Sequence, residues 1–233
     1  MNMKQLRIIT LVVVVLCILV VAYGYGQKDK VYPVRGFCSI SIESVERDGK
    51  LEPRNIRTRF VKYTGEWKEF VQPVSSDKGA MVVASRADGD YAYNNSQGLQ
   101  LTGSGRSPVH PDTFTTATYR TSPNLLRIDK LLGREAYVLR TDQGDGDYAE
   151  EWVVPEFGRM PLKLVLHNHL GGSVTNQAIS VEFMDVTDEM LKMPDLPLKF
   201  DFLEKRIKQA EQKGDQETAQ ALRLVINNRA RAQ

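Results

Sequence analysis

The side chains best equipped for chemistry are few and scattered. His167-Asn168-His169 sets two imidazoles two residues apart, which puts them on one side of an extended strand. That spacing can bind Zn²⁺ or Cu²⁺ once a third and usually a fourth ligand join. The only other histidine is His110, in a loop, so two solvent-facing imidazoles before Gly171-Gly172 are the simpler reading. Asp142, Asp145 and Asp147 suggest a calcium loop. Counted from Asp142, however, the third and fifth positions are Gly144 and Gly146, where oxygen ligands are required. A Gly/Asp hairpin tip accounts for the run. Gly103-Ser104-Gly105 lacks the spacing and context of a nucleophile elbow and reads as a flexible loop. Cys38 has no nearby partner cysteine and sits on an apolar strand face, the setting of a structural thiol. No catalytic residue, metal or cofactor is expected, which leaves recognition as the chemistry to look for.

Composition narrows the partner. The 233 residues carry 31 Lys+Arg against 29 Asp+Glu, a net charge of +2. That balance builds in no pull toward nucleic acid. Hydrophobic residues make up 42% and charged residues 26%, a globular mix. Two cysteines exclude a disulfide-stapled miniprotein.

The elements that must position a recognition surface begin with an address. Lys4 and Arg7 precede an apolar run over residues 8–22, interrupted only by Thr10 and Cys17. As a helix the run is roughly 23 Å long at 1.5 Å per residue, short of the ~30 Å of a bilayer core. Counting residues 6–25, with Arg7 snorkelling, reaches that length. Two readings stay open. One is a single-pass membrane anchor over residues 6–25, with Tyr23 and Tyr25 at the interface. The other is a signal peptide cleaved near Ala22-Tyr23-Gly24. Both export the long C-terminal part to the periplasmic or extracellular side; a cleaved chain is secreted. Cys17 lies mid-run behind Leu16, unlike a lipidated cysteine, and reads as apolar filler.

Residues 27–35 read as a polar linker in which Pro33 excludes helix. Alternation then sets in: Cys38, Ile40 and Ile42 against Ser39, Ser41 and Glu43, the pattern of a half-buried strand. Asp48-Gly49 and Thr64-Gly65 turn the chain, with strands over 56–63 and 66–72 on either side of the second turn. Residues 80–86 and 91–93 pair across Asp88-Gly89. Residues 96–113, rich in Gly, Ser and Pro, read as a long surface loop holding at most a short strand around Leu99 and Leu101. Residues 113–120 are extended or a short helical turn. Further strands are expected over 128–132, 135–141, 150–154, 161–168 and 178–186. Such evenly spaced short strands argue for a single curling antiparallel sheet. After Pro194 and Pro197, Phe200, Leu203, Ile207 and Ala210 form one helical stripe. Ala219, Leu222, Val225 and Ile226 form another beyond Gly214-Asp215. This helical hairpin either caps the sheet or projects as a docking arm.

Gly133-Arg134-Glu135-Ala136-Tyr137-Val138-Leu139, then Glu151-Trp152-Val153-Val154-Pro155-Glu156-Phe157-Gly158, then Met160-Pro161-Leu162-Lys163-Leu164 and Val181-Glu182-Phe183 resemble the closing hairpins of outer-membrane lipoprotein carrier (LolA-like) domains. The RseB-type sigma-factor regulators share that architecture. The early strands around Thr58, Phe60, Trp67 and Phe70 fit the same sheet, so the resemblance covers about residues 35–190. It implies an unclosed, strongly curved sheet with an apolar cavity, and binding of a lipidated protein or another hydrophobic ligand in the envelope.

The expected fold is therefore mainly β (α+β): a curved antiparallel sheet or half-barrel with an N-terminal transmembrane helix and a C-terminal helical hairpin. Residues 1–26 are the signal peptide or anchor, 27–35 the linker, 36–193 the β domain and 194–233 the hairpin. The expected function is a membrane-tethered, envelope-side, non-catalytic domain holding a lipid or other hydrophobic ligand in the concave sheet. The strand aromatics Phe60, Trp67, Phe70, Tyr91, Tyr93, Trp152 and Phe183 are the candidate pocket lining, with core packing as their ordinary role. Arg54, Arg57 and Arg59 make a basic patch, either solvated or set against anionic headgroups. The alternative function is a structural or signalling adaptor whose C-terminal helices dock a partner protein over residues 199–233, a tail with eight Lys/Arg and five Asp/Glu. A hydrolase is the third reading, for which no triad or metal set is assembled.

Overall fold

A computed structural model of the chain describes residues 29–75, 79–105 and 113–230. The N-terminal apolar segment and His110 lie outside the described residues. Among the described residues, no helix is long and apolar enough to cross a membrane.

Inside the stretch read as a linker, β1 (Val31–Pro33) pairs antiparallel with β8 (Thr113–Thr115) as a separate two-stranded ribbon. All other described strands belong to one sheet. β2 (Phe37–Arg47), β3 (Lys50–Val61), β4 (Trp67–Pro73), β5 (Met81–Arg86), β6 (Gly89–Asn94) and β7 (Gly98–Gly103) form a first meander. After β8 comes the short helix α1 (Thr116–Arg120), then a second meander of β9 (Leu125–Leu131), β10 (Arg134–Gly144), β11 (Asp147–Val153), β12 (Pro161–His167) and β13 (Ser173–Phe183). The two meanders join where β2 pairs antiparallel with β13. The short helix α2 (Asp188–Leu191) precedes β14 (Leu198–Lys199), which adds parallel to β7 as an edge. The result is a large, open, curved sheet with few helices, as the alternation and even strand spacing require.

Local chemistry explains the turns. Asp48 and Gly49 both adopt positive φ (51° and 73°), as do Leu132 and Gly133 (52° and 76°). Two consecutive positive φ values define the tight hairpin turn that matches strand twist, and the second residue in each pair is a glycine. The Leu132-Gly133 turn thus begins at the last residue of the strand expected over 128–132. The stretch from 96 to 113 holds β7, because Leu99 and Leu101 alternate onto one face and become buried there under the C-terminal helices.

The C-terminus is a helical hairpin of α3 (Asp201–Gln212) and α4 (Gln216–Ala230). Gly214 breaks it at φ 76°, and the Asp215 carboxylate accepts from the Thr218 backbone N–H at 3.0 Å, an N-terminal cap. Leu203, Ile207 and Ala210 are buried on α3 and Ala219 on α4, the expected stripes. Leu203 packs with Ala84, Tyr91, Leu99, Leu101 and Met193, and Leu222, Val225 and Ile226 of α4 close over the same cluster. The hairpin is a cap on β5–β7.

Candidate functional site: a cavity on the curled-in face

Residues opposite one another in register share a sheet face. Phe37, Val61 and Trp67 stand in line across β2, β3 and β4. In the next row on the same face, Ser39, Arg59 and Glu69 stand in line. Glu151 of β11 belongs to the same face through Leu164, Asn176 and Glu43. In a flat sheet β4 and β11 would lie about 24 Å apart, five strand spacings of about 4.8 Å. Yet Trp67 and Glu151 line one cavity of about 490 Å³, so the sheet curls toward this face. Phe37, Val61, Phe157 and Met160 join Trp67 in the apolar part of the lining, and Arg35, Arg59 and Arg159 stand around it.

The loop after β11 supplies one wall. A 3₁₀ turn over Pro155–Phe157 points Phe157 against Phe37, ring centroids 5.2 Å apart and edge to face, and stacks it on Phe183 at 4.6 Å. Arg35 caps Phe183 from 4.2 Å, and Arg134 lies 5.1 Å from Phe157, both cation–π contacts. The Tyr119 hydroxyl donates to the Gly158 carbonyl at 3.1 Å, so α1 holds this loop in place. Burial pushes the Tyr119 phenol up to about 12, with Arg159 pulling the other way. The group is therefore a neutral donor at any physiological pH.

Beyond the apolar lining the same face is charged. Glu69 is 1% exposed. Its carboxylate accepts from both Arg57 and Arg59, and Arg57 also donates to Glu43. Asn55 adds an amide hydrogen bond to Glu43 at 2.6 Å. Arg59 reaches across to Met160 Sδ at 2.9 Å and lies 5.2 Å from the Trp67 ring. Burial lowers the Arg57 pKa, but the charges and hydrogen bonds of Glu69 and Glu43 outweigh it and leave it raised. The arginines read as a solvated or headgroup-facing patch are thus divided. Arg57 and Arg59 belong to an inward ionic network, while Arg54 is exposed. A second hollow of about 670 Å³ opens at the other end of the face, near Val45, Leu164, Leu166 and Val174, and shares Glu151 with the first.

The seven candidate aromatics do not converge. Trp67 lines the cavity, and Phe183 packs behind it on Phe157. Phe60 and Phe70 pair edge to face at 6.2 Å on the opposite, outer face, through their register with Cys38 and Thr58. Tyr91 and Tyr93 also face outward, in the cluster under the C-terminal hairpin. Trp152 is on the outer face of β11, its indole N–H donating to Asp129 at 3.2 Å, with Lys163 and Arg127 4.4 and 5.4 Å from the ring. Phe37, Val61, Phe157, Met160 and Arg59 were not singled out as lining. Strand alternation marks Phe37 and Val61 as apolar, but only register shows that they share the face of Trp67.

The other candidates also separate. His167 stacks on Tyr148, centroids 4.4 Å apart. His169 turns to Asp147 instead, its ring nitrogen 2.9 Å from the carboxylate and its backbone N–H donating at 2.8 Å. Those two hydrogen bonds hold the Asp147 carboxyl below its ordinary range. Among the described residues no three His, Cys, Asp or Glu side chains gather as a metal set. Cys38 is half-buried on the outer face, and burial raises its thiol pKa, with Glu182 adding to the rise.

No protein-family model matches the chain, and no curated protein matches it in sequence. Solved structures do resemble it. MucB, in the complex structure of Pseudomonas aeruginosa MucA/MucB, is 16% identical, with 69% of this chain covered and a TM-score of 0.41. This chain spans only 56% of that one, little more than half its length. An uncharacterized conserved protein from Thermus thermophilus is 11% identical over 72% of this chain and 91% of its own, with a TM-score of 0.49. A LolA superfamily protein from Nitrosomonas europaea is 12% identical over 71% and 93%, with a TM-score of 0.38. The lipoprotein-carrier and RseB-type resemblance read from the hairpin motifs thus recurs among the solved structures similar to this chain. At these identities no functional residue transfers by position.

Proposed function

We propose that the chain is a non-catalytic binding domain that holds the apolar part of a lipid or other amphiphile in the cavity beside Trp67. One observation carries this reading. A cavity of about 490 Å³ with Phe37, Val61, Trp67, Phe157 and Met160 in its lining opens on the curled-in face, with Arg35, Arg59 and Arg159 around it. The volume is in the range of small-molecule sites, which pair an apolar lining with a few polar groups. Each buried methylene contributes about 0.8 kcal/mol, and the arginines suit an anionic or polar head. Binding is therefore by burial and charge, with no bond made or broken. The export address in residues 1–26 supports an envelope-side location, on the periplasmic or extracellular side. An anchor over residues 6–25 would keep the domain beside its membrane.

The adaptor alternative has less support, because the apolar stripe of α3 is already spent, Leu203 against β7 and Ile207 and Ala210 against α4. Native mass spectrometry of the detergent-extracted full chain, followed by lipid extraction, tests the reading. A co-purifying acyl species lost on Trp67→Ala supports it. An empty protein that also fails to bind a fluorescent fatty acid overturns it.

A further inference from the structure

We propose that the mouth of the Trp67 cavity is held against the bilayer that the chain's own N-terminal segment occupies, so that ligand passes between membrane and cavity without crossing bulk water. The proposal rests on the binding reading and on the anchor reading of residues 6–25, and it names the surface that supplies the ligand.

The argument is one of tether length. The chain is strapped to the body from its first described residues. The Lys30 backbone N–H donates to Thr116 Oγ1 at 3.0 Å, and the Thr116 N–H donates back to the Lys30 carbonyl at 3.0 Å. Arg120 meets Asp29 at 3.5 Å, and Val31–Pro33 are paired in β1. From Tyr25 to Asp29 is four residue steps, about 14 Å at full extension. A domain of roughly 200 residues has a radius of gyration of about 16 Å. A tether shorter than the body's own radius does not let the body turn its far end to the membrane.

The end nearest the tether is the end that carries the cavity mouth. Val34 and Arg35 follow β1 directly and line the cavity, together with Tyr63, Thr64 and Gly65 of the β3–β4 turn and Arg159 of the loop before β12. Leu132 and Gly133 of the β9–β10 turn flank Lys30 and Tyr32 of the ribbon. The turn after β12 lies at the other end, about 23 Å away along that seven-residue strand. Val31, Tyr63 and Leu132 expose apolar surface at the near end, which the interfacial region of a bilayer accepts. Ion pairs neutralise much of the charge there: Lys62 with Glu66 and Asp188, Arg86 with Asp88, and Arg134 with Glu156. The tether, and not a basic patch, therefore sets the orientation.

The test uses the full-length chain carrying Cys17→Ser and Cys38→Ser, with a single new thiol at Tyr63→Cys or Leu170→Cys. Both sites are exposed, at 55% and 82%. Each variant is labelled with a fluorophore and reconstituted in phosphatidylcholine vesicles bearing a headgroup-attached quencher. Quenching several-fold stronger at position 63 than at 170 is expected, and a long Gly/Ser linker inserted after Gln27 should bring the two toward equality. Equal quenching without the linker, stronger quenching at 170, or a mature chain lacking residues 6–25 overturns the proposal. Because Tyr63 lines the cavity, fatty-acid binding is measured on vesicles carrying the unlabelled wild-type chain. Its absence with the quenching difference intact defeats the cavity reading while leaving the orientation standing.

Discussion

Trp67 and Phe70 are three residues apart on one strand, yet they answer to different solvents. Trp67 faces the cavity, whereas Phe70 is 41% exposed on the outer face. Truncating each separates ligand contact from sheet packing. Trp67→Ala should weaken binding of a fluorescent fatty acid at least tenfold, about 1.4 kcal/mol, while Phe70→Ala leaves it within about twofold. Glu69 makes a different prediction. Its removal leaves Arg57 with Glu43 alone and takes from Arg59 the carboxylate it pairs with, in a partly buried site, and breaking a buried pair costs up to about 3–5 kcal/mol. Glu69→Ala should lower the urea midpoint accordingly. At this scale the sequence was legible in part. Alternation of Trp67, Glu69 and Val71 against Lys68, Phe70 and Gln72 follows from strand period alone, and the register bears out both sets. What period two cannot reveal is which set faces inward, because both carry an aromatic and a charge.

Elements show where local rules suffice and where they do not. The C-terminal stripes were readable because 3.6-residue periodicity is a property of the helix itself, and Leu203 ends fully buried between α3 and β7. Leu203→Ala should cost about 2–5 kcal/mol, read as a lower melting temperature with early proteolysis within residues 199–230. The tip of the β10–β11 hairpin supplies a pH prediction. Hydrogen bonds from the His169 ring and backbone hold the Asp147 carboxyl below its ordinary range. A depressed carboxyl pKa adds stability above the ordinary carboxylate range, and that contribution is lost as pH falls through the folded value. The protection of the His169 amide, its exchange rate set against the intrinsic rate at each pH, should therefore hold near neutrality and fall only on acidification below the ordinary carboxylate range, and Asp147→Asn should abolish the step. The ribbon of β1 and β8 had no such local signature. Val31–Pro33 form a strand because Thr113–Thr115 lie alongside, a partner 80 to 84 positions away.

The whole molecule is an open sheet whose curvature makes its site. Trp67 and Phe157 share a cavity only because β2 and β13 join two meanders and the joined sheet bends. A ligand bound there stabilises the folded chain by mass action, about 2.7 kcal/mol at a hundredfold excess over Kd. A saturating long-chain fatty acid should thus raise the melting temperature of the wild-type chain by several degrees and leave that of Trp67→Ala nearly unchanged. The shared dependence of site and curvature also means that mutations at the β2–β13 seam, such as Ala178→Asp beside Leu162 in the core cluster, should abolish binding and folding together.

Strand order along the chain, turn glycines, the C-terminal helical stripes and the sparseness of catalytic groups were all determined by the sequence, because each depends on residues within a few positions of one another. The burial of Glu69 beneath two arginines, the outward placement of Tyr91, Tyr93 and Trp152, and the meeting of Trp67 with Phe157 were decided only in the tertiary structure. Each depends on register between strands and on the bend of the sheet, which arise from the packing of distant segments and leave no periodic trace in any one of them.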